Sequence, residues 1–323
     1  MTTYVQGVRA LTQLKLAGTS SFRLASTQLF DYGINSQNFD KDVIDIMAAP
    51  AGWTFIQVDQ AGAEALIVAY LAADGRYREL FREGVKPHIY VALHLFLDKF
   101  RGEHPRDRYW LQRPGDLKKL PEWPALSKRI KNSEFEYDIG KRIGHAKNYR
   151  MGPFTFKLSA LRDSGGTLNL SLEDCTYFSD TYNVLFPEIG GFQNEIERRI
   201  HTDRRLVNLF GHPRRFERLI NDGYIREAIS WIPQSTVGCI THEAALKFTD
   251  YVITNRLSWR LCNNKHDSLA ALVPESEAPD AARTLAGFFQ QTFTGWDGSK
   301  FTMRTEAFVG PTLGKKDMKE IQL

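Results

Sequence analysis

Two aspartates and one basic stripe are the residues here whose types and spacing could do chemistry. The run Thr54-Phe55-Ile56-Gln57-Val58 leads into Asp59, and Asn263-Asn264-Lys265-His266 leads into Asp267. Carboxylates at strand ends can hold a pair of divalent cations, and such a pair clamps the attacking and leaving oxygens of a phosphoryl displacement. Between them, Lys141, His145 and Tyr149 fall at i, i+4 and i+8, one stripe of a helix. An ammonium, an imidazole and an aromatic ring in a row suit a triphosphate followed by a sugar or base that stacks. Together these features point to nucleotidyl transfer.

Each feature also has a plainer explanation. Asp59 precedes an Ala-rich segment and could cap the helix that starts near Ala61. Asp267 lies in a turn, where Asp is favoured. The stripe could pack Tyr149 inward beside Ile139, Ile143 and Ala146 and leave its cations in water. Spacing alone does not bring together two acids this far apart in the chain.

The elements that must position these groups read as an α+β chain. The 323 residues are 42 % apolar and 25 % charged, enough for a full core in one large domain or two subdomains. Residues 5–30 read as short strands and turns, with a turn at Gly18-Thr19-Ser20-Ser21, and 31–41 as loop. A strand is expected at 54–58, a buried helix at 61–72, then helices over 76–83 and from Pro87 to about Lys99 with Pro in its first turn. From Arg101 to Lys131 four prolines and many charges suggest an inserted, partly irregular lobe. Helices are expected at 138–151, from about 172 to 200, at 224–256 with an interruption near Pro233, and at 278–294. Segments 259–263 and 269–273 form a hairpin signal with Asp267 at its turn, and 301–309 alternates as a final strand. The expected picture is a sheet built from both chain ends with a mostly helical lobe between.

Composition limits function as well. The net charge is only +4, but Lys and Arg concentrate at 113–150 and 198–218, a common footprint of phosphate binding. Neighbouring Glu195, Glu197, Asp203 and Glu217 allow an ordinary solvated face instead. No apolar run approaches the ~20 residues that cross a bilayer, and the first residues lack the layout of a signal peptide. The three cysteines have no metal-ligand spacing and fit a reducing cytosol. The motifs of P-loop NTPases, zinc proteases and serine hydrolases do not occur. His88 and His94, six apart, read as structural histidines. Gln234-Ser235-Thr236 lies in an otherwise apolar helix, eight residues after Arg226, and needs hydrogen-bond partners.

In order along the chain, the motifs resemble those of family A, DNA polymerase I-like, DNA polymerases. The segment 18–26 is similar to T-G-R-L-S-S, with Arg23 as its arginine, and Asn35-Ser36-Gln37-Asn38-Phe39 to L-Q-N-I-P. Val58-Asp59-Gln60-Ala61-Gly62-Ala63-Glu64 resembles motif A, D-Y-S-Q-I-E, followed by Phe81-Arg82-Glu83-Gly84 and His88. Lys141 through Gly152 resembles the phage-type motif B, K-R-x-x-H-x-x-N-Y-G-M-G. Residues 209–215 resemble L-x-G-R-x-R, Arg226 and Gln234 the R-x₇-Q helix, and His266-Asp267 motif C, H-D-E. The departures are Ser268 in place of the motif C glutamate, Arg150 in place of a motif B glycine, His145 where many members have lysine, and a motif A that keeps only its Asp and Glu.

The resemblance implies a right-hand polymerase palm from 1–100 and 226–323, with a helical fingers subdomain at 101–225. It implies attack of a primer 3′-hydroxyl on the α-phosphate of a dNTP in a bacterial or phage-infected cytoplasm, with no membrane involved. Asp59, Asp267 and the Gln60 main-chain carbonyl would hold two Mg²⁺ ions, with Mn²⁺ able to substitute. Lys141 and His145 would bind the triphosphate, Tyr149 would stack by the sugar and base, and Glu64 would exclude a ribose 2′-hydroxyl. Arg23, Gln37, Asn38, Arg226, Gln234, His266 and Arg150 would contact primer-template DNA. A separate chain supplying a thumb or exonuclease would be a further partner. The alternatives are a polymerase-derived nucleic-acid-binding subunit without activity and a metal-dependent nuclease.

Overall fold

A computed structural model describes residues 13–15, 19, 21, 23, 25–27, 37, 44–265, 267–314 and 316–323. Its centre is a five-stranded antiparallel sheet. In chain order the strands are β1 (Gln13–Lys15), β2 (Ala25–Thr27), β3 (Trp53–Gln60), β4 (Arg205–Val207), β5 (Pro213–Arg215), β6 (Arg260–Lys265), β7 (Ser268–Pro274), β8 (Thr292–Thr294), β9 (Lys300–Thr302), β10 (Thr305–Gly310) and β11 (Lys319–Ile321). The sheet order is β11-β10-β3-β7-β6, and β1-β2, β4-β5 and β8-β9 form separate two-stranded ribbons. The fold is α+β, as the sequence implies, and the sheet joins strands from both parts of the chain.

Twelve α-helices occur among the described residues: α1 (Ala63–Leu71), α2 (Arg76–Glu83), α3 (Pro87–Leu95), α4 (Leu97–Phe100), α5 (Pro114–Lys119), α6 (Trp123–Lys131), α7 (Glu134–Asn148), α8 (Pro153–Asp163), α9 (Leu172–Leu185), α10 (Pro187–Thr202), α11 (Asp222–Thr254) and α12 (Ala278–Phe289). None is long and apolar enough to cross a membrane.

β3 is buried because it is central. Alternate residues of a strand face opposite ways. Ile56 and Val58 are fully buried, and α12 packs along β3 and β10. Gln60, on the same face, reaches α11 and donates to the Thr241 hydroxyl at 2.8 Å. Phe55, Gln57 and Asp59 therefore look to the other face. One hydrophobic cluster runs without a break from this sheet through α1, α3, α7, α9 and α10.

Several expectations shift in detail. The helix from Pro87 breaks at Phe96, whose ψ of 37° leaves the helical range. The proline-rich stretch 101–131 is more ordered than expected: Pro114 opens α5 and Pro124 lies in the first turn of α6, positions where a missing N–H costs nothing. α8 was not foreseen; Phe156 and Ala160 are its buried residues. α11 is continuous through Pro233, held by a buried run that includes Trp231, Ile232 and Val237. The helix from Ala278 stops at Phe289, and the expected strand 301–309 divides into β9 and β10.

Candidate active site

Strand register brings the two aspartates together. β3 and β7 pair antiparallel with Asp59 opposite Ser268. In the β6–β7 hairpin Lys265 pairs with Ser268, so Asp267 lies in the turn immediately before β7. The Gln60 N–H donates to the Asp267 carbonyl at 3.3 Å, and the Gln60 side chain donates to that same oxygen. The turn is thus pinned to the end of β3. Asp59 lies inside the strand, and the residue preceding α1 is Gly62, in the left-handed region at φ 61°; this removes the capping explanation. On the other side Asp59 faces Glu306 of β10, an acid that the sequence motifs did not single out.

The electrostatics fit a cation-seeking pair. Burial, and then the charge of Asp59, push the Asp267 carboxyl up to about 6; the charge of Glu64 adds to this and Arg23 opposes it. A carboxyl raised by burial and by a neighbouring carboxylate is relieved by a positive charge placed beside it. Among the described residues no group of three or more His, Cys, Asp or Glu side chains is arranged to hold a metal. An ion here would rest on two carboxylates and main-chain oxygen. Ser268 donates to the Lys265 carbonyl at 3.0 Å and accepts from Gln57, so it braces the hairpin.

A second cluster centres on Glu64 in the first turn of α1. Its carboxylate accepts from the Arg23 guanidinium and from the Tyr149 hydroxyl. Burial and the Glu64 charge hold the Tyr149 phenol well above its ordinary value, so it stays a donor. His145 and Lys141 are exposed one and two turns earlier on α7, and the His145 ring meets Tyr149 edge-on at 5.2 Å. A cavity of about 300 Å³ lies between α7 and α8, lined by Lys141, Arg142, His145, Met151, Phe156 and Asp163 among others. Tyr149 is thus buried at the end of the stripe while Lys141 and His145 are exposed, an arrangement that the plainer explanation of the stripe also expects.

The end of α7 is tied down residue by residue. Gln193 of α10 donates to the Lys147 and Asn148 carbonyls at 2.6 and 3.2 Å. Asn148 donates to the Tyr77 hydroxyl and accepts from Tyr182, both at 2.8 Å. The Met151 N–H bonds the Ala146 carbonyl at 3.0 Å and the Arg150 N–H the Lys147 carbonyl at 3.2 Å, the Schellman helix stop. Arg150 is the left-handed residue of that stop, at φ 60°. Glycine is usual there because a side chain costs roughly 1–2 kcal/mol in this conformation. The Arg150 guanidinium is paired with Glu197 of α10. At its middle α7 presses on α3: a Cβ on Gly140 would stand 2.6 Å from the His88 carbonyl oxygen.

The other candidates spread along the rim. Gln37 donates to the Asn264 side chain of β6 at 2.9 Å. Arg226 and Gln234 are half-buried on α11, and Gln234 shares a helix face with Val237 and Thr241, the contacts of Gln60. Ser235 and Thr236 find ordinary partners, the Ile232 carbonyl and the Leu209 N–H. Asn38 and His266 lie outside the described residues. Sequence reasoning did not reach Gln57, Asn148, Gln193 or Glu197. Only Asn148 carried a signal, as the asparagine inside the motif B match; the others act through contacts that no local pattern announces.

No protein-family profile matches the chain. It is 24% identical over 244 residues to DNA polymerase I of Helicobacter pylori (strain ATCC 700392 / 26695), covering 74% of this chain and 23% of that one. Its fold matches the POL domain of Pol1 from M. smegmatis, solved in complex with DNA primer-template and dNTP, with a TM-score of 0.66, 17% identity and coverage of 94% of this chain and 48% of that one. The chain spans less than a quarter of the first relative's length and about half of the second's.

Proposed function

We propose that this chain, a family A DNA polymerase-like protein, extends a primer on a DNA template by nucleotidyl transfer from dNTPs. One observation carries the reading. The β3–β7 register sets Asp59 and Asp267 side by side, next to a Glu64–Tyr149 contact that ends a stripe carrying exposed Lys141 and His145. A nuclease would need the acids and not the stripe. The five-stranded sheet would be the palm, from 1–100 and 226–323, and 101–225 the fingers.

Asp59, Asp267 and the Gln60 main-chain carbonyl would hold Mg²⁺, which when bound makes the primer hydroxyl a better nucleophile and offsets charge on the phosphates. Lys141 and His145 would take the triphosphate and balance charge that develops on the leaving pyrophosphate. Tyr149 would stack by the incoming sugar and base, and Glu64, fixed by Tyr149 and Arg23, would stand where a 2′-hydroxyl must go. Arg23, Gln37, Asn38, Arg226, Gln234 and His266 would contact the primer-template.

Primer extension in Mg²⁺ with Asp59→Asn and Asp267→Asn tests this. Each variant should lose roughly a thousandfold or more, since metal stabilisation of developing charge amounts to several kcal/mol. Normal extension by either variant refutes the assignment. A folded wild-type chain that binds primer-template but never extends it would instead be a non-catalytic subunit.

A further inference from the structure

We infer that Glu197 is a positioning residue for the nucleotide site. By holding Arg150 in the left-handed turn that ends α7, it seats the Tyr149 hydroxyl on Glu64. The inference rests on the polymerase reading for its consequence, and on four observations for its mechanism. Arg150 has φ 60° and occupies the glycine place of the helix stop. Its guanidinium pairs with Glu197. Gln193, one turn earlier on α10, already grips the Lys147 and Asn148 carbonyls, so residues 193 and 197 present one face of α10 to the end of α7. Tyr149, between these anchors in the chain, donates its hydroxyl to Glu64.

A glycine at position 150 would enter this turn without help. An arginine resists it, and the ion pair on its side chain offsets the resistance. If the pair is lost, the turn relaxes toward ordinary backbone angles and the residue before it moves. Tyr149 has no slack, because its ring is buried and its hydroxyl is committed to one carboxylate. Glu197 thereby reaches substrate choice without touching substrate, and the Arg150 guanidinium is structural, not a DNA contact.

Four variants separate this from other roles, read as the ratio of dNTP to rNTP incorporation and as KM for dNTP. Glu197→Gln and Arg150→Ala should each lower the ratio about 3- to 10-fold and raise KM more than they lower kcat. Arg150→Gly should keep the ratio within about 2-fold of wild type, and Arg150→Gly combined with Glu197→Gln should restore what Glu197→Gln loses. If Arg150→Gly is as defective as Arg150→Ala, the guanidinium acts directly and the inference is overturned; so is it if Glu197→Gln leaves the ratio unchanged. A cycle of Tyr149→Phe with Arg150→Ala in urea unfolding reads the same coupling without nucleotide. The effect of Tyr149→Phe should shrink when Arg150→Ala is already present, and strict additivity would refute the link. A wild-type chain that shows the coupling but extends no primer would refute the polymerase reading alone.

Discussion

Asn148→Ala should be among the costlier single changes on α7. Asn148 is 4% exposed and bridges two phenols, Tyr77 and Tyr182, themselves 2% and 1% exposed. It donates to one and accepts from the other, each at 2.8 Å. Burial pushes the Tyr77 phenol up to about 12 and the Tyr182 phenol well above its ordinary value, so both remain neutral and need neutral partners. Alanine removes two hydrogen bonds, about 1–3 kcal/mol together, and leaves a small void that adds to the loss. The two hydroxyls also interact with each other, so part of the loss is recovered, and roughly 2–3 kcal/mol is expected. Urea unfolding at pH 7.5 measures it from the shift in midpoint at constant slope. Tyr182→Phe should cost about 1 kcal/mol alone, and the double variant should fall short of the sum by about 1 kcal/mol, because one bond is counted twice. A loss under about 0.5 kcal/mol for Asn148→Ala, or full additivity, would show that the network does not hold the helix end.

Two further outcomes follow from the same structure. Glu64→Ala should raise ribonucleotide incorporation relative to deoxynucleotide by roughly 10-fold or more, measured as the ratio of kcat/KM values; an unchanged ratio sinks the gate assignment. His94 is fully buried, its Nδ1 is 2.8 Å from the Tyr90 carbonyl, and burial lowers it to about 4. Its unfolded value is near 6.5, so above that pH it contributes nothing to pH dependence. As pH falls from 6.5 toward 4 the unfolded chain takes up the proton first and stability drops. The gap is worth about 2.5 kcal/mol at pH 4.5. In urea midpoints compared at pH 7.5 and 4.5, His94→Gln should lose less than wild type by about that amount; equal losses would mean that His94 is not held neutral.

The parts of the fold that sequence could show are those set by local pattern. Thr54 to Val58 reads as a strand because it is buried on both faces, and the hairpin around Asp267 is legible from its flanking β-like runs. Pro87 marks a helix first turn, whereas Pro114 and Pro124 do the same inside a stretch whose composition read as irregular. The parts that escaped depend on distant partners. The division between β9 and β10 reflects where the chain meets β8 and β3, and α11 crosses Pro233 because its neighbours are buried on many sides. At the site, the motifs supplied residue types and the register supplied their meaning. Nothing near Asp59 in sequence shows that Ser268 lies opposite it, or that Glu306 lies on the other side.

Arg150 shows how a departure from a family pattern can be decided by backbone geometry. Read as a sequence, an arginine beside a nucleotide-binding stripe is a cation in search of a phosphate. The structure gives it a conformation first, φ 60° at a helix stop, and a partner second, Glu197. The glycine usual at that place serves the turn, and another residue can stand there provided something holds the turn. Ser268 follows the same logic in reverse: where the family has an acid, this chain has a hydroxyl that braces the hairpin. The hairpin itself then contributes only Asp267 to pair with Asp59, and their spacing depends on Gln57, Gln60 and Ser268 keeping β3 and β7 in register.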